Sequence, residues 1–452
     1  MAQVVIIGGD AAGGTVASNL RRLLPSEHEV VVLERTDRTS YSACGIPYWI
    51  SGDVDSADDL VARTPEEHRA NGVDVRTGVE AVAIDRERRQ VVVSDGEPIG
   101  YDRLVVATGA EPLRPELDGI QLDGILGVQS LADGQRVIDA MVQQPRHVVV
   151  VGSGYIGLEM AEACVAQGFD TTVVEQADSP MPLLDPVLGD LVADAMRARG
   201  IELRTSAAVA GFEGTDGRVT GVRVGDEVLP ADLVILGLGV RARSDLAERA
   251  GLPLGVKGSI VVDGHQRVDG TDDVWAVGDC SQTVDRTTGS RVHVPLGTHA
   301  NKQGMVAAHA IAADLLGGEP PMSFPGIVQT AITKFCSLEI SRAGLAEHQA
   351  RDAGLDPVVA TIETTTIAGY MPGAGPMTVW LAADRATRRL VGAQIVGAEN
   401  AGLRIDVAAT AISAGMTVDD VVMLDLAYAP PFGSVWSPVQ VAARAVAKRL
   451  DA

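Results

Sequence analysis

The sequence predicts an α/β fold in which two strand–turn–helix units are followed by a C-terminal α+β part. Three observations predict it. An apolar strand runs into a glycine-rich turn at residues 4–14, VVIIGGDAAGG. The same device returns at residues 147–162, HVVVVGSGYIGLEMAE. From residue 323 the pattern changes to strand-like alternation, ITKFCSLEI and MTVWLAAD, and to the helical run LRIDVAATAISAG.

In the first unit Gly8 permits the tight turn, and Gly13 lets the helix pack closely on the strand. The free N–H groups of the helix N-terminus then suit a pyrophosphate. Asp10 replaces the middle glycine of the usual pattern. The next strand, EVVVLE (29–34), ends in Glu34, where a carboxylate can bind ribose hydroxyls. Together these make a Rossmann-like dinucleotide-binding unit.

The second unit fills G-x-G-x-x-G completely, with Gly152, Gly154 and Gly157. Its following strand, TTVVE, ends in Glu175. A carboxylate there accepts from a free 2′-hydroxyl and repels a 2′-phosphate. Gln176, Ala177 and Asp178 add no base, so the pattern favours NADH over NADPH. Two other segments fit FAD in the first unit. YDRLVVATGAEP (101–112) reads as a strand and small-residue turn that return the chain to it. TDDVWAVGDC (271–280) ends in Gly-Asp, where Asp279 could hold the ribityl and phosphate region. A Gly-Asp pair also forms ordinary turns.

Cys44 lies in SYSACGIPYWI (40–50), ten residues past Glu34. GIPYWI reads as a helix start with Pro47 in its first turn. A helix N-terminus lowers a thiol's pKa, which predicts a thiolate at Cys44. The bland alternative is a small buried hydrophobe. Cys164, Cys280 and Cys336 read as structural. Four cysteines without a disulfide pattern indicate a reducing compartment.

A chain of 452 residues suggests two to four domains. It contains no run of eighteen apolar residues, so no membrane span is expected. The N-terminus enters the first strand without a targeting pattern, which predicts a cytoplasmic protein. A net charge of −23 argues against nucleic acid, an anionic membrane surface or an acidic redox partner. His293 and His299 are the closest histidine pair, with no acid-rich ligand set, and no metal is expected. Arg21 and Arg22, with Lys302, could form a local anion site, although an Arg pair at a helix end is commonly just solvated.

These motifs resemble the FAD-dependent pyridine nucleotide–disulfide oxidoreductases of the single-cysteine branch, most closely coenzyme A disulfide reductase. That branch also holds NADH oxidases and NADH peroxidases. The resemblance is carried further by ATGAEP, WAVGD, PLGTHANKQG (295–304), GYMPGAG (369–375) and LAYAPPFG (426–433). It implies two interleaved dinucleotide-binding domains: FAD over 1–114 and 244–322, NAD(H) over 115–243. Residues 323–452 would form the dimerisation domain of a homodimer. FAD would be held by Gly8, Gly13, Glu34, Arg35, Ala81, Thr108, Gly109 and Asp279. NADH would meet Gly152, Gly154, Tyr155, Gly157, Glu159, Glu175 and Gly239. Cys44 would be the redox thiol, assisted by Tyr370 and Tyr428 reaching across from the partner subunit. Thr15, Asn19, Arg22, Ser40 and Lys302 would line a coenzyme A path.

Single residues choose within the branch. Oxidases and peroxidases carry a histidine in the first glycine turn, where this chain has Ala11. Two-cysteine relatives have a second cysteine where this chain has Trp49, so the thiol must cycle with an external sulfur or as a sulfenic acid. Family reductases often have asparagine before the cysteine and glutamine farther upstream; here Ala43 and Asn19 stand there. The activity implied is NADH-dependent reduction of a low-molecular-weight disulfide or persulfide. The alternatives are an NADH oxidase or peroxidase acting through a Cys44 sulfenic acid, and a flavoprotein passing electrons to a redox partner.

Overall fold

The computed structural model describes residues 1–452. Strand β1 (Gln3–Ile7) lies at the centre of a five-stranded parallel sheet. Its apolar run QVVII suits this place, because a parallel sheet is covered on both faces. Val5 pairs with Val31 of β2 (Glu29–Glu34) on one side and with Leu104 of strand Arg103–Val106 on the other. Strand Asp74–Thr77 flanks β2, and Val274–Ala276 flanks Arg103–Val106. That last strand arrives only after the second unit is complete, so the first sheet is made from two stretches of chain.

The second sheet repeats the plan. His147–Val151 is central, with Asp170–Val174 and then Glu202–Arg204 on one side. Leu233–Leu236 and then Ile125–Gly127 lie on the other, and all pairings are parallel. A third, fully antiparallel sheet follows, ordered Ala331–Phe335, Leu338–Gly344, Leu390–Gly397, Pro376–Asp384 and Pro357–Thr365. Helices Ile405–Ser413 and Pro438–Leu450 pack on it through Ala408, Ala411, Val439, Ala442 and Ala443. ITKFCSLEI, which alternates as if it were one strand, is a hairpin. The chain reverses at Cys336, which adopts φ +54°.

Helix α1 (Ala11–Leu23) packs along the long helix Gly297–Leu316. Small residues allow their backbones to close in. A Cβ on Gly304 would lie 2.6 Å from the Ala12 carbonyl oxygen. This contact brings the PLGTHANKQG segment beside the first glycine turn. No helix is long and apolar enough to cross a membrane.

Candidate active site

The two glycine turns open onto one connected cavity of about 2500 Å³ that also contains Cys44. In the first turn Gly8 has φ +103°, and a Cβ on it would lie 2.2 Å from the Ala107 carbonyl oxygen. A Cβ on Gly13 would lie 1.9 Å from the Gly8 oxygen. Both positions therefore require glycine. The first N–H groups of α1 receive no side-chain cap. An uncapped helix start on a cavity wall fits a bound diphosphate.

The second turn has the same parts. Gly152 has φ +92°, and a Cβ on Gly157 would lie 2.0 Å from the Gly152 oxygen. The helix Tyr155–Ala166 also starts uncapped. A Cβ at Gly154 would meet nothing within 4 Å, so that position faces open space.

The two strand-end carboxylates behave alike. Glu34 accepts from the Gly9 amide at 2.9 Å and from the Thr36 amide and hydroxyl at 2.8 Å. Glu175 accepts from the Ser153 amide at 2.8 Å, the Ser153 hydroxyl at 2.7 Å and the Ala177 amide at 2.8 Å. Each carboxylate thus braces its own glycine turn. Glu34 also reaches the cavity wall, whereas Glu175 is buried just behind it.

Of the other expected cofactor residues, Gly8, Arg35, Ala81, Thr108, Gly109 and Asp279 line the cavity, as do Gly154, Tyr155, Glu159 and Gly239. Gly13, Gly152 and Gly157 sit behind the wall as packing positions. Burial raises the Asp279 carboxyl above its usual range, and His293 opposes that rise. The Tyr155 hydroxyl is buried without a hydrogen-bond partner.

Cys44 occupies a single 3₁₀ turn, Ala43–Gly45, ahead of α2 (Ile46–Ser51). It presents an exposed edge to the cavity. The expected depression of its pKa is not found. The thiol is pushed up, first by burial among the surrounding walls and then by the carboxylates of Glu159, Asp279 and Asp10. The helix start is present, but α2 has only six residues and Cys44 stands outside it, where a helix dipole is weak. Cys164 and Cys280 are buried and Cys336 partly so.

Glu159 accepts from the Thr333 hydroxyl at 2.7 Å, and burial raises its carboxyl. Its helix neighbour Glu162 pairs with Lys334 at 2.7 Å. That ammonium lies 5.3 Å from the centre of the Tyr48 ring. The hairpin of the third sheet therefore closes the second unit onto the Cys44 segment.

Thr15, Asn19, Arg22 and Ser40 line one arm of the cavity. Lys302 is exposed and off the wall, while its neighbour Asn301 is on it and accepts from Thr15 at 3.0 Å. Arg21 donates to the carbonyls of His28, Leu24 and Pro25, so it caps a helix end and joins no anion site. Sequence reasoning missed Ser18, Arg63 and His68. Arg63 lines the same arm and donates to Ser18 at 2.8 Å. Buried His68 meets the Ser40 hydroxyl at 3.0 Å. Only the fold joins these distant residues, and no local motif marks them.

Tyr370 and Tyr428 neighbour each other but do not line the cavity within one chain. They are 76% and 46% exposed and share the surface of the C-terminal part with exposed Phe432, Val435 and Trp436.

Residues 2–305 match the pyridine nucleotide-disulphide oxidoreductase family, and residues 330–438 match the dimerisation domain of that family. The chain is 38% identical to an NAD(P)H sulfur oxidoreductase (CoA-dependent) of Pyrococcus abyssi, covering 98% of this chain and 97% of that one. It is 33% identical to an NADH oxidase of Methanocaldococcus jannaschii over 99% of both chains. The structure superposes on an NAD-dependent persulfide reductase from A. fulgidus with a TM-score of 0.95 and 35% identity, covering 99% of this chain and 84% of that one.

Proposed function

The chain belongs to the pyridine nucleotide-disulphide oxidoreductase family, and from that premise we propose that it is an FAD-dependent, NAD(P)H-using reductase of a low-molecular-weight disulfide or persulfide. One observation carries this reading: Cys44 lies on the wall of the same cavity onto which both glycine turns open. FAD, when bound, would relay an electron pair from the nicotinamide to sulfur.

The protein's own part is to hold and tune the thiol. The Cys44 thiolate attacks one sulfur of R–S–S–R. The S–S bond breaks, RS⁻ leaves, and a Cys44–S–S–R mixed disulfide remains. Two electrons then restore the thiolate and release the second RS⁻. A raised thiol pKa makes the thiolate the minor form near neutral pH, but the better nucleophile once formed. Thr15, Ser40 and Arg22 give the substrate arm hydroxyl and cationic groups suited to an anionic thiol such as coenzyme A, and Arg63 adds a second guanidinium.

In this reading the FAD domain is residues 1–114 with 244–322, the NAD(H) domain 115–243 and the dimerisation domain 323–452. The enzyme is a homodimer in the cytoplasm, and the exposed Tyr370–Tyr428 surface completes the partner's site. Glu175 favours NADH over NADPH from behind the wall, by placing a carboxylate charge at the second turn instead of by lining the cavity.

The deciding experiment measures anaerobic and aerobic NADH consumption with coenzyme A disulfide, coenzyme A persulfide and oxygen. Turnover of a sulfur substrate that stops in Cys44→Ser supports the reading. Sulfur turnover that survives Cys44→Ser, or consumption with oxygen alone, replaces it with oxidase or electron-transfer chemistry.

A further inference from the structure

Asp10 stands where the usual pattern has its middle glycine, and it occupies the N-cap of α1 with extended backbone, φ −89° and ψ −155°. A carboxylate at an N-cap ordinarily turns back onto the helix's own N–H groups. Asp10 does not. Its Oδ1 instead accepts from the Tyr41 amide at 3.0 Å, across 31 residues of chain. The preceding turn residue acts in parallel, since the Gly9 oxygen accepts from the Ser40 amide at 3.1 Å. Two consecutive residues of the glycine turn therefore hold two consecutive residues of the segment leading to Cys44.

That segment needs holding. Ser40 adopts φ +48°, a left-handed conformation that a non-glycine residue keeps only when its surroundings impose it. The Ala62 amide donates to the Ser40 oxygen at 2.8 Å, and the Ser42 amide donates to the Leu60 oxygen at 2.8 Å. His68 holds the Ser40 side chain. The Asp10 link is the one that ties this clasp to the first glycine turn through a charge.

We propose that Asp10 is a positioning residue: its carboxylate, bonded to the Tyr41 amide, fixes the Cys44 segment and adds to the negative charge that Glu159 and Asp279 place around the Cys44 thiol. The charged and titratable groups around it are Glu34 from β2, Tyr41 from the segment itself, Asp279 from the turn after Val274–Ala276, and Cys44. Glu159 acts on Cys44 from the second unit, His293 on Asp279, and Asp133 and Arg35 on Tyr41. Burial, then Glu34 and Asp279, lift the Asp10 carboxyl to about 7. It therefore gains its charge near neutral pH, and that charge in turn raises the Cys44 thiol.

The proposal deepens the reading of Cys44 as the reactive thiol, and its test needs no substrate. The holoprotein is alkylated with iodoacetamide across a pH series, and modification of the Cys44 peptide is followed by mass spectrometry. Asp10→Asn keeps an oxygen for the Tyr41 amide and removes the charge. Asp10→Ala removes both. At pH ~8.5, where wild-type Asp10 is ionised, Asp10→Asn should be alkylated several-fold faster than wild type, with the same high-pH plateau. Asp10→Ala should show the same shift and a changed plateau, because the segment is released. Superimposable profiles for wild type and Asp10→Asn overturn the proposal, and that arm decides even where Asp10→Ala fails to fold. Loss of disulfide turnover in wild type would instead remove the proposed function and leave the alkylation profiles standing.

Discussion

The two glycine turns are built alike and differ in what they touch. Each has a glycine at positive φ, a second glycine pressed on the first one's oxygen, and a strand-end glutamate bracing the turn from behind. They differ at the third position of the turn. Gly154 leaves open space, followed by Tyr155 and, four residues later, Glu159. Asp10 fills that position and ties the turn to the Cys44 segment. A nucleotide that must come and go needs an open, unlinked turn. A turn tied to the Cys44 segment is better suited to a cofactor that stays.

The largest effect is expected for Cys44→Ser. It should abolish disulfide turnover while the protein stays yellow and NADH still bleaches its flavin absorbance anaerobically. Retention of disulfide turnover would detach the first turn from sulfur chemistry.

Next in size is Tyr428→Phe, which removes one hydroxyl and keeps most of the ring. If the partner's phenol protonates the departing thiolate, disulfide turnover should fall by ~10²–10⁴. Flavin bleaching by NADH should hardly change. An equal fall in both rates would place Tyr428 outside the sulfur half-reaction.

Gly13→Ala and Gly157→Ala test the two turns directly. Each adds a methyl about 2 Å from a carbonyl oxygen, and overpacking of this kind costs ~1–3 kcal/mol. Gly13→Ala should lower the FAD content of the purified protein, read from its visible absorbance. Gly157→Ala should keep FAD and raise the NADH concentration needed for half-maximal bleaching. Identical defects in both variants would mean that the turns are not separable.

The smallest effect is expected for Glu175→Gln. Losing the charged brace behind the second turn should lower the NADH-to-NADPH preference about tenfold, equivalent to ~1.4 kcal/mol. Paired steady-state assays with the two nucleotides measure it, and an unchanged ratio would assign NADH selectivity elsewhere.

Both nucleotide-type units were legible in the order of residues, because glycine turns, β-branched strands and strand-end acids are local and few alternatives share their spacing. That order also marked Cys44 and the α2 start at Ile46, where Pro47 suits a first helical turn. The charge around that thiol arises from the fold. The thiol's own burial, and then the charges of Glu159, Asp279 and Asp10 from three distant stretches of chain, outweigh the short helix that the local motif advertised. The same holds for the arm where Arg63 meets Ser18 and His68 meets Ser40. Backbone conformation follows from neighbouring residues, whereas a pKa or a pocket wall follows from whatever the fold brings within a few ångströms, and one chain's order of residues does not encode that distance.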